Sequence, residues 1–85
     1  MGERGDQYIV FGLQSCPFCQ EAVDLLGTLG YNYDYYRLDD NPEYLQELKE
    51  FYNHRTVPIV VRIGQQDSIA RFVGGCDDLK REIND

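Results

Sequence analysis

The 85 residues predict an α/β fold: a four-stranded mixed sheet in the order β-α-β-α-β-β-α, with helices packed on both faces. Two observations carry this. Short apolar runs of strand length alternate with segments whose apolar residues recur at helical spacing. The last two strand-like runs are separated by only a short polar turn, so they must lie antiparallel. No Pro/Gly/Ser-rich linker, low-complexity tract or internal repeat divides the chain, and its length suits a single domain over residues 1–85. A domain this small buries only about 60–65% of its unfolded surface, so large side chains matter. Seven Tyr and four Phe supply them.

The elements follow in order. Tyr8-Ile9-Val10-Phe11, ended by Gly12, reads as a strand buried on both faces. Over residues 17–29, Ala22, Val23, Leu25, Leu26 and Leu29 keep a helical period. Pro17 suits the first helical position, where its missing N–H is no loss, and Gly30 is a natural stop. Residues 33–38, rich in Tyr, form the second strand. Asn41 caps the next helix, with Pro42 in its first turn and Glu43 favourable to its dipole. Tyr44, Leu45, Leu48, Phe51 and Tyr52 continue its apolar face. Residues 58–63 and 69–73 are the third and fourth strands, joined by the polar turn 64–68. Gly74 and Gly75 break the last strand, and residues 77–83 form a short terminal helix. The first two strands, joined through a helix, must run parallel with a right-handed crossover.

Charge and composition exclude several functions. Eight Lys and Arg against fifteen Asp and Glu leave a formal charge of −7. Such a chain is expected to be repelled by nucleic acid and anionic lipid, and no basic stripe offsets this. No apolar run approaches the about 18 residues of a membrane span. The opening MGERGDQYIV lacks the apolar core of a signal peptide. Gly2 follows Met1, but Asp6 stands where a myristoylation signal has Ser or Thr. A reducing, cytoplasmic location is therefore expected.

Three cysteines are too few and too odd in number for a secreted disulfide scaffold. Two of them form Cys16-Pro17-Phe18-Cys19, between the first strand and the first helix. There the unpaired N–H groups of the first helical turn face the Cys16 sulfur and favour the reactive thiolate. Cys19 lies about one helical turn on, so the two sulfurs can meet in a disulfide. Cys16 is the expected nucleophile and Cys19 the group that resolves a mixed disulfide. Zinc is the competing chemistry, since His54 and Cys76 would bring the candidate ligands to four. A zinc knuckle is rarely built into an amphipathic helix that starts with proline, so no metal is expected. His54 reads as a surface residue at a helix end and Cys76 as a part-buried small side chain.

Three separated blocks resemble the glutaredoxin family of the thioredoxin-like fold. Cys16-Pro17-Phe18-Cys19 is similar to its Cys-Pro-Tyr-Cys site, Thr56-Val57-Pro58 to its Thr-Val-Pro loop, and Gly74-Gly75-Cys76-Asp77-Asp78 to its Gly-Gly-x-x-Asp turn. The resemblance covers almost the whole chain. It implies a cis peptide before Pro58, which would turn the Val57 backbone toward the sulfurs. It also implies a glutathione site: Phe18, Thr56, Val57 and Pro58 on one side, Gly75, Cys76 and Asp77 at the start of the last helix for the γ-glutamyl carboxylate, and Arg55 for the glycine carboxylate.

The implied activity is glutathione-dependent reduction of protein disulfides and glutathione mixed disulfides. Glutathione is then a co-substrate, with no tightly bound cofactor. Implied partners are disulfide-bearing or glutathionylated proteins, ribonucleotide reductase among them, met by a monomer. Two other roles are open to this family: an electron carrier reduced by thioredoxin reductase, and an iron–sulfur cluster binder, for which relatives usually have Cys-Gly-Phe-Ser. The chain departs from its relatives in three places. Leu13 stands where many have Lys or Arg, the segment 59–73 is longer and predicts an extended hairpin, and the terminal helix is short.

Overall fold

A computed structural model describes residues 6–84 of the chain. Gly2, on which the lipidation argument turned, lies outside the described residues. The elements are β1 (Gln7–Gly12), α1 (Pro17–Thr28), β2 (Asn32–Arg37), α2 (Pro42–Phe51), β3 (Ile59–Ile63), β4 (Ala70–Gly74) and α3 (Cys76–Asn84). The predicted order is the observed one, with boundaries moved by a residue or so at several ends.

The strands form one sheet in the order β2-β1-β3-β4. β1 pairs parallel with β2 and antiparallel with β3, and β3 pairs antiparallel with β4. Val10 is level with Tyr35 on one side and Val60 on the other, so all three side chains share a face. That face carries the main core: Tyr8, Val10 and Val60 pack with Ala22, Val23 and Leu26 of α1 and with Cys76 and Leu79 of α3. The i, i+3, i+4, i+7 spacing of Cys19, Ala22, Val23 and Leu26 puts them on one stripe of α1.

α2 covers the opposite face. There the Phe11 ring stacks on Tyr36 at 5.6 Å and meets Tyr44 of α2 edge-on at 6.3 Å. This cover is thinner, and β1 is not buried on both faces as its sequence predicts: Ile9 and Phe11 are only half-buried while Tyr8 and Val10 are sealed. One ten-residue helix cannot close a face that two helices close on the other side. β2 is an edge strand, and only Tyr35 in it is shielded from solvent.

Both longer helices end in the same device. At the end of α1, Gly30 takes φ +82°, and the N–H groups of Gly30 and Tyr31 return to the carbonyls of Gly27 and Leu26. At the end of α2, Asn53 takes φ +53°, and the N–H groups of Asn53 and His54 return to Glu50 and Lys49. This second reversal aims the chain back at the sheet and delivers His54 beside β4. The hairpin is not lengthened: β3 and β4 have five residues each, and the additional residues form a loop. Asp67 ties that loop by accepting from the Ile69 N–H and the Arg71 guanidinium.

Candidate active site

Cys16 is the N-cap of α1, with extended backbone (φ −122°, ψ 109°), and Pro17 opens the helix behind it. Its Sγ accepts the backbone N–H of Cys19 at 3.2 Å, one of the helix's unpaired first-turn donors. The first turn of α1 carries no acidic side chain to oppose negative charge on that sulfur. The loop leading to Cys16 is pinned twice. The Gln14 N–H donates to the Asp39 carboxylate at 2.9 Å, and the Tyr35 hydroxyl donates to the Leu13 carbonyl.

Cys19 is the opposite kind of cysteine. It is 0% exposed, and its thiol is pushed up to about 12, first by burial and then by the Cys16 sulfur beside it. It sits against Gly12, where an added Cβ would strike its Sγ. The ring of Tyr35 closes the same spot, 3.3 Å from where that Cβ would stand. Tyr35 is itself pushed up to about 12, mainly by burial and then by the neighbouring Cys19 sulfur. One sulfur is therefore partly exposed at a helix start, and the other is held as a thiol underneath it.

A groove of about 300 Å³ opens beside this pair. Phe18 forms one lip, 61% exposed. Thr56, Val57 and Pro58 form its floor with a cis Val57–Pro58 peptide. Gly75, Cys76 and Asp77, at the start of α3, form the far wall. The turn before α3 is built around Asp78, whose carboxylate accepts the Gly75 N–H at 3.0 Å. That carboxylate lies where a Cβ on Gly74 would be, and Gly74 has φ +128°, so no other residue suits this position. Seven of the eight residues predicted for glutathione thus border one groove. Arg55 does not: it lines a neighbouring cleft with Gln46, Lys49 and Glu50.

Residues 8–66 match the model of the glutaredoxin family. The chain belongs to the glutaredoxin family. It is 29% identical over 70 residues to glutaredoxin 3 of Escherichia coli (strain K12), covering 82% of this chain and 77% of that one. Among solved structures it is similar to a wheat glutaredoxin, with TM-score 0.79 and 32% identity over 92% of this chain and 71% of that one. A buckwheat glutaredoxin, solved as a complex with glutathione, gives TM-score 0.78 and 26% identity over 93% of this chain and 69% of that one. The protein is a thiol–disulfide oxidoreductase with a thioredoxin-like fold.

Two residues of this glutaredoxin's site escape a reading of its sequence. Tyr35 lies in a run of tyrosines, and only the register with Val10 shows which one faces the sulfurs. His54 is not a plain surface residue. It lines the groove, with Nε2 3.3 Å from the Thr56 hydroxyl and 3.4 Å from where a Cβ on Gly75 would stand. The signal for it was the asparagine before it, a residue that tolerates the left-handed turn ending α2. Cys76 is buried rather than part-buried, and burial raises its thiol. Among the described residues no three His, Cys, Asp or Glu side chains converge on a metal position.

Proposed function

We propose that this glutaredoxin reduces protein disulfides and glutathione mixed disulfides at the expense of glutathione, with Cys16 as nucleophile and Cys19 as resolving group. The observation that carries the reading is the division of labour between the sulfurs. Cys16 Sγ receives a helix N–H, while Cys19 is buried and protonated.

In the monothiol route, the Cys16 thiolate attacks the glutathione sulfur of a mixed disulfide. A Cys16–glutathione disulfide forms, and the protein thiolate leaves and takes a proton from water. A second glutathione thiolate then attacks the glutathione sulfur on Cys16, releasing oxidised glutathione and restoring the Cys16 thiolate. In the dithiol route Cys16 attacks a protein disulfide, Cys19 displaces the protein dithiol to leave a Cys16–Cys19 disulfide, and two glutathiones reduce that disulfide with release of oxidised glutathione. Cys19 is held back before its attack partly by charge on Cys16. Once Cys16 is bonded to substrate that charge is gone, which removes one of the influences that keep Cys19 protonated.

Glutathione is supported as the reductant by the groove beside Cys76, where first-turn N–H groups of α3 suit a carboxylate. Phe18, Thr56, Val57 and Pro58 would hold its peptide portion and Gly75, Cys76 and Asp77 its γ-glutamyl end. Arg55 serves as an outer cation for the glycine carboxylate. Ribonucleotide reductase and glutathionylated proteins are the partner classes, the acting form is a monomer, and the cytoplasm is the location. No helix of the described residues is long and apolar enough to cross a membrane.

The test is glutathione–disulfide exchange by wild type, Cys16→Ser and Cys19→Ser. Cys16→Ser is expected to abolish activity. Cys19→Ser is expected to keep deglutathionylation and lose protein-disulfide reduction. Turnover supported by NADPH and thioredoxin reductase without glutathione would overturn the choice of reductant.

A further inference from the structure

One wall of the groove does not end at its rim. The His54 ring meets Phe72 of β4 at 5.5 Å, Phe72 stacks on Tyr52 at 4.7 Å with 12° between planes, and Tyr52 meets Phe51 edge-on at 4.8 Å. Four rings, from the end of α2, the turn that follows it and β4, thus make a continuous strip that starts inside the groove and ends in solvent. Two of its rings are open to water: Phe51, at the outer end, is 78% exposed and Phe72, next to His54, 40%. Exposed rings in a row are costly to leave in water unless something covers them.

We propose that this strip is the docking surface for the polypeptide flanking the reacting cysteine of a protein substrate, and that it selects an extended segment with a large apolar side chain. The proposal rests on the reading that proteins are substrates of this site. Continuity argues for such an occupant. A protein sulfur that reaches Cys16 brings its own chain through or over the groove, and His54 leads from there onto the strip. The length fits, since three ring-to-ring steps of this size match about four to five residues of extended chain. Net charge alone favours Lys or Arg in the segment: the chain carries −7, whereas the side chains lining the cleft beside His54 are mixed in sign, Glu50 against Lys49 and Arg55. A second copy of this chain fits less well. Four partly exposed rings offer at most a few hundred Å², against about 800 Å² per partner in a stable interface.

The test uses eleven-residue peptides with a central glutathionylated Cys and two Lys close to it, carrying either Leu or Ser at the positions three to five residues away on both sides. Glutathionylated free cysteine serves as the substrate without flanks. With wild type, the Leu peptides should show KM about tenfold below the Ser peptides. In Phe51→Ser that advantage should disappear, and in Phe51→Leu it should return in large part. Turnover of glutathionylated cysteine should change by no more than about twofold in either variant. Leu and Ser peptides with equal KM on wild type would overturn the docking surface. Failure of wild type on glutathionylated cysteine would instead overturn the glutathione reading beneath it. Sedimentation of wild type as a dimer that Phe51→Ser dissociates would assign the strip to a second copy and also overturn the proposal.

Discussion

Cys19 Sγ fills the space that a side chain on Gly12 would need, so the last residue of β1 fixes where that sulfur can sit. The strand end and the helix start are thereby locked together through a glycine and a cysteine. Substituting Gly12→Ala should cost about 1–3 kcal/mol, the usual penalty for overpacking a closed site. The midpoint of urea unfolding would fall accordingly, and protein-disulfide reduction should fall with it as Cys19 is displaced.

Alkaline pH should loosen the fold. The Cys19 thiol is pushed up to about 12 and the Tyr35 hydroxyl likewise, and burial raises Tyr8 as well. Unfolded cysteine titrates near about 8.5 and tyrosine near about 10. Between those values and the folded ones, the native state keeps protons that the unfolded chain has lost. The associated stability is therefore complete below about pH 8.5 and is lost as pH rises beyond it. Thermal melts over this range should show a falling Tm, with a shallower fall in Cys19→Ser.

Tyr35→Phe removes the hydroxyl that donates to the Leu13 carbonyl and faces Cys19. A loss of about 0.5–1.5 kcal/mol is expected for one such hydrogen bond. Its kinetic signature should be selective: protein-disulfide reduction should slow, while deglutathionylation, proposed to run through Cys16 without Cys19, should persist.

Gly74→Ala places a methyl group against the Asp78 carboxylate at a left-handed backbone position. Strain of this kind costs about 1–3 kcal/mol. Because Asp78 also holds the Gly75 N–H, the groove wall should shift and KM for glutathione should rise with kcat less affected.

The fold was largely legible in the sequence because its signals are local. The period of Ala22, Val23 and Leu26, the Asn41 cap and the Gly74-Gly75 break each act within a few residues. The sulfur pair was legible for the same reason, since cap, proline and second cysteine are contiguous. What escaped depends on sheet register and on chain reversal. Tyr35 is one tyrosine among several until Val10 is placed beside it, and His54 faces the groove only because Asn53 turns the chain. Arg55 shows the converse. Its neighbours in sequence line the groove, but the same turn puts its side chain in the next cleft. The half-covered face of β1 was hidden too, because a run of apolar residues does not reveal how many helices will cover it.

The central claim is that Cys16 carries the chemistry while Cys19 and Cys76 lie protected, and competitive alkylation tests it most directly. Reduced native protein is pulsed with iodoacetamide at neutral pH, and the modified cysteine is located by peptide mass at increasing times. Cys16 should be labelled first and nearly alone, with Cys19 and Cys76 following only on unfolding. Label appearing at Cys19 or Cys76 as early as at Cys16 would contradict the account.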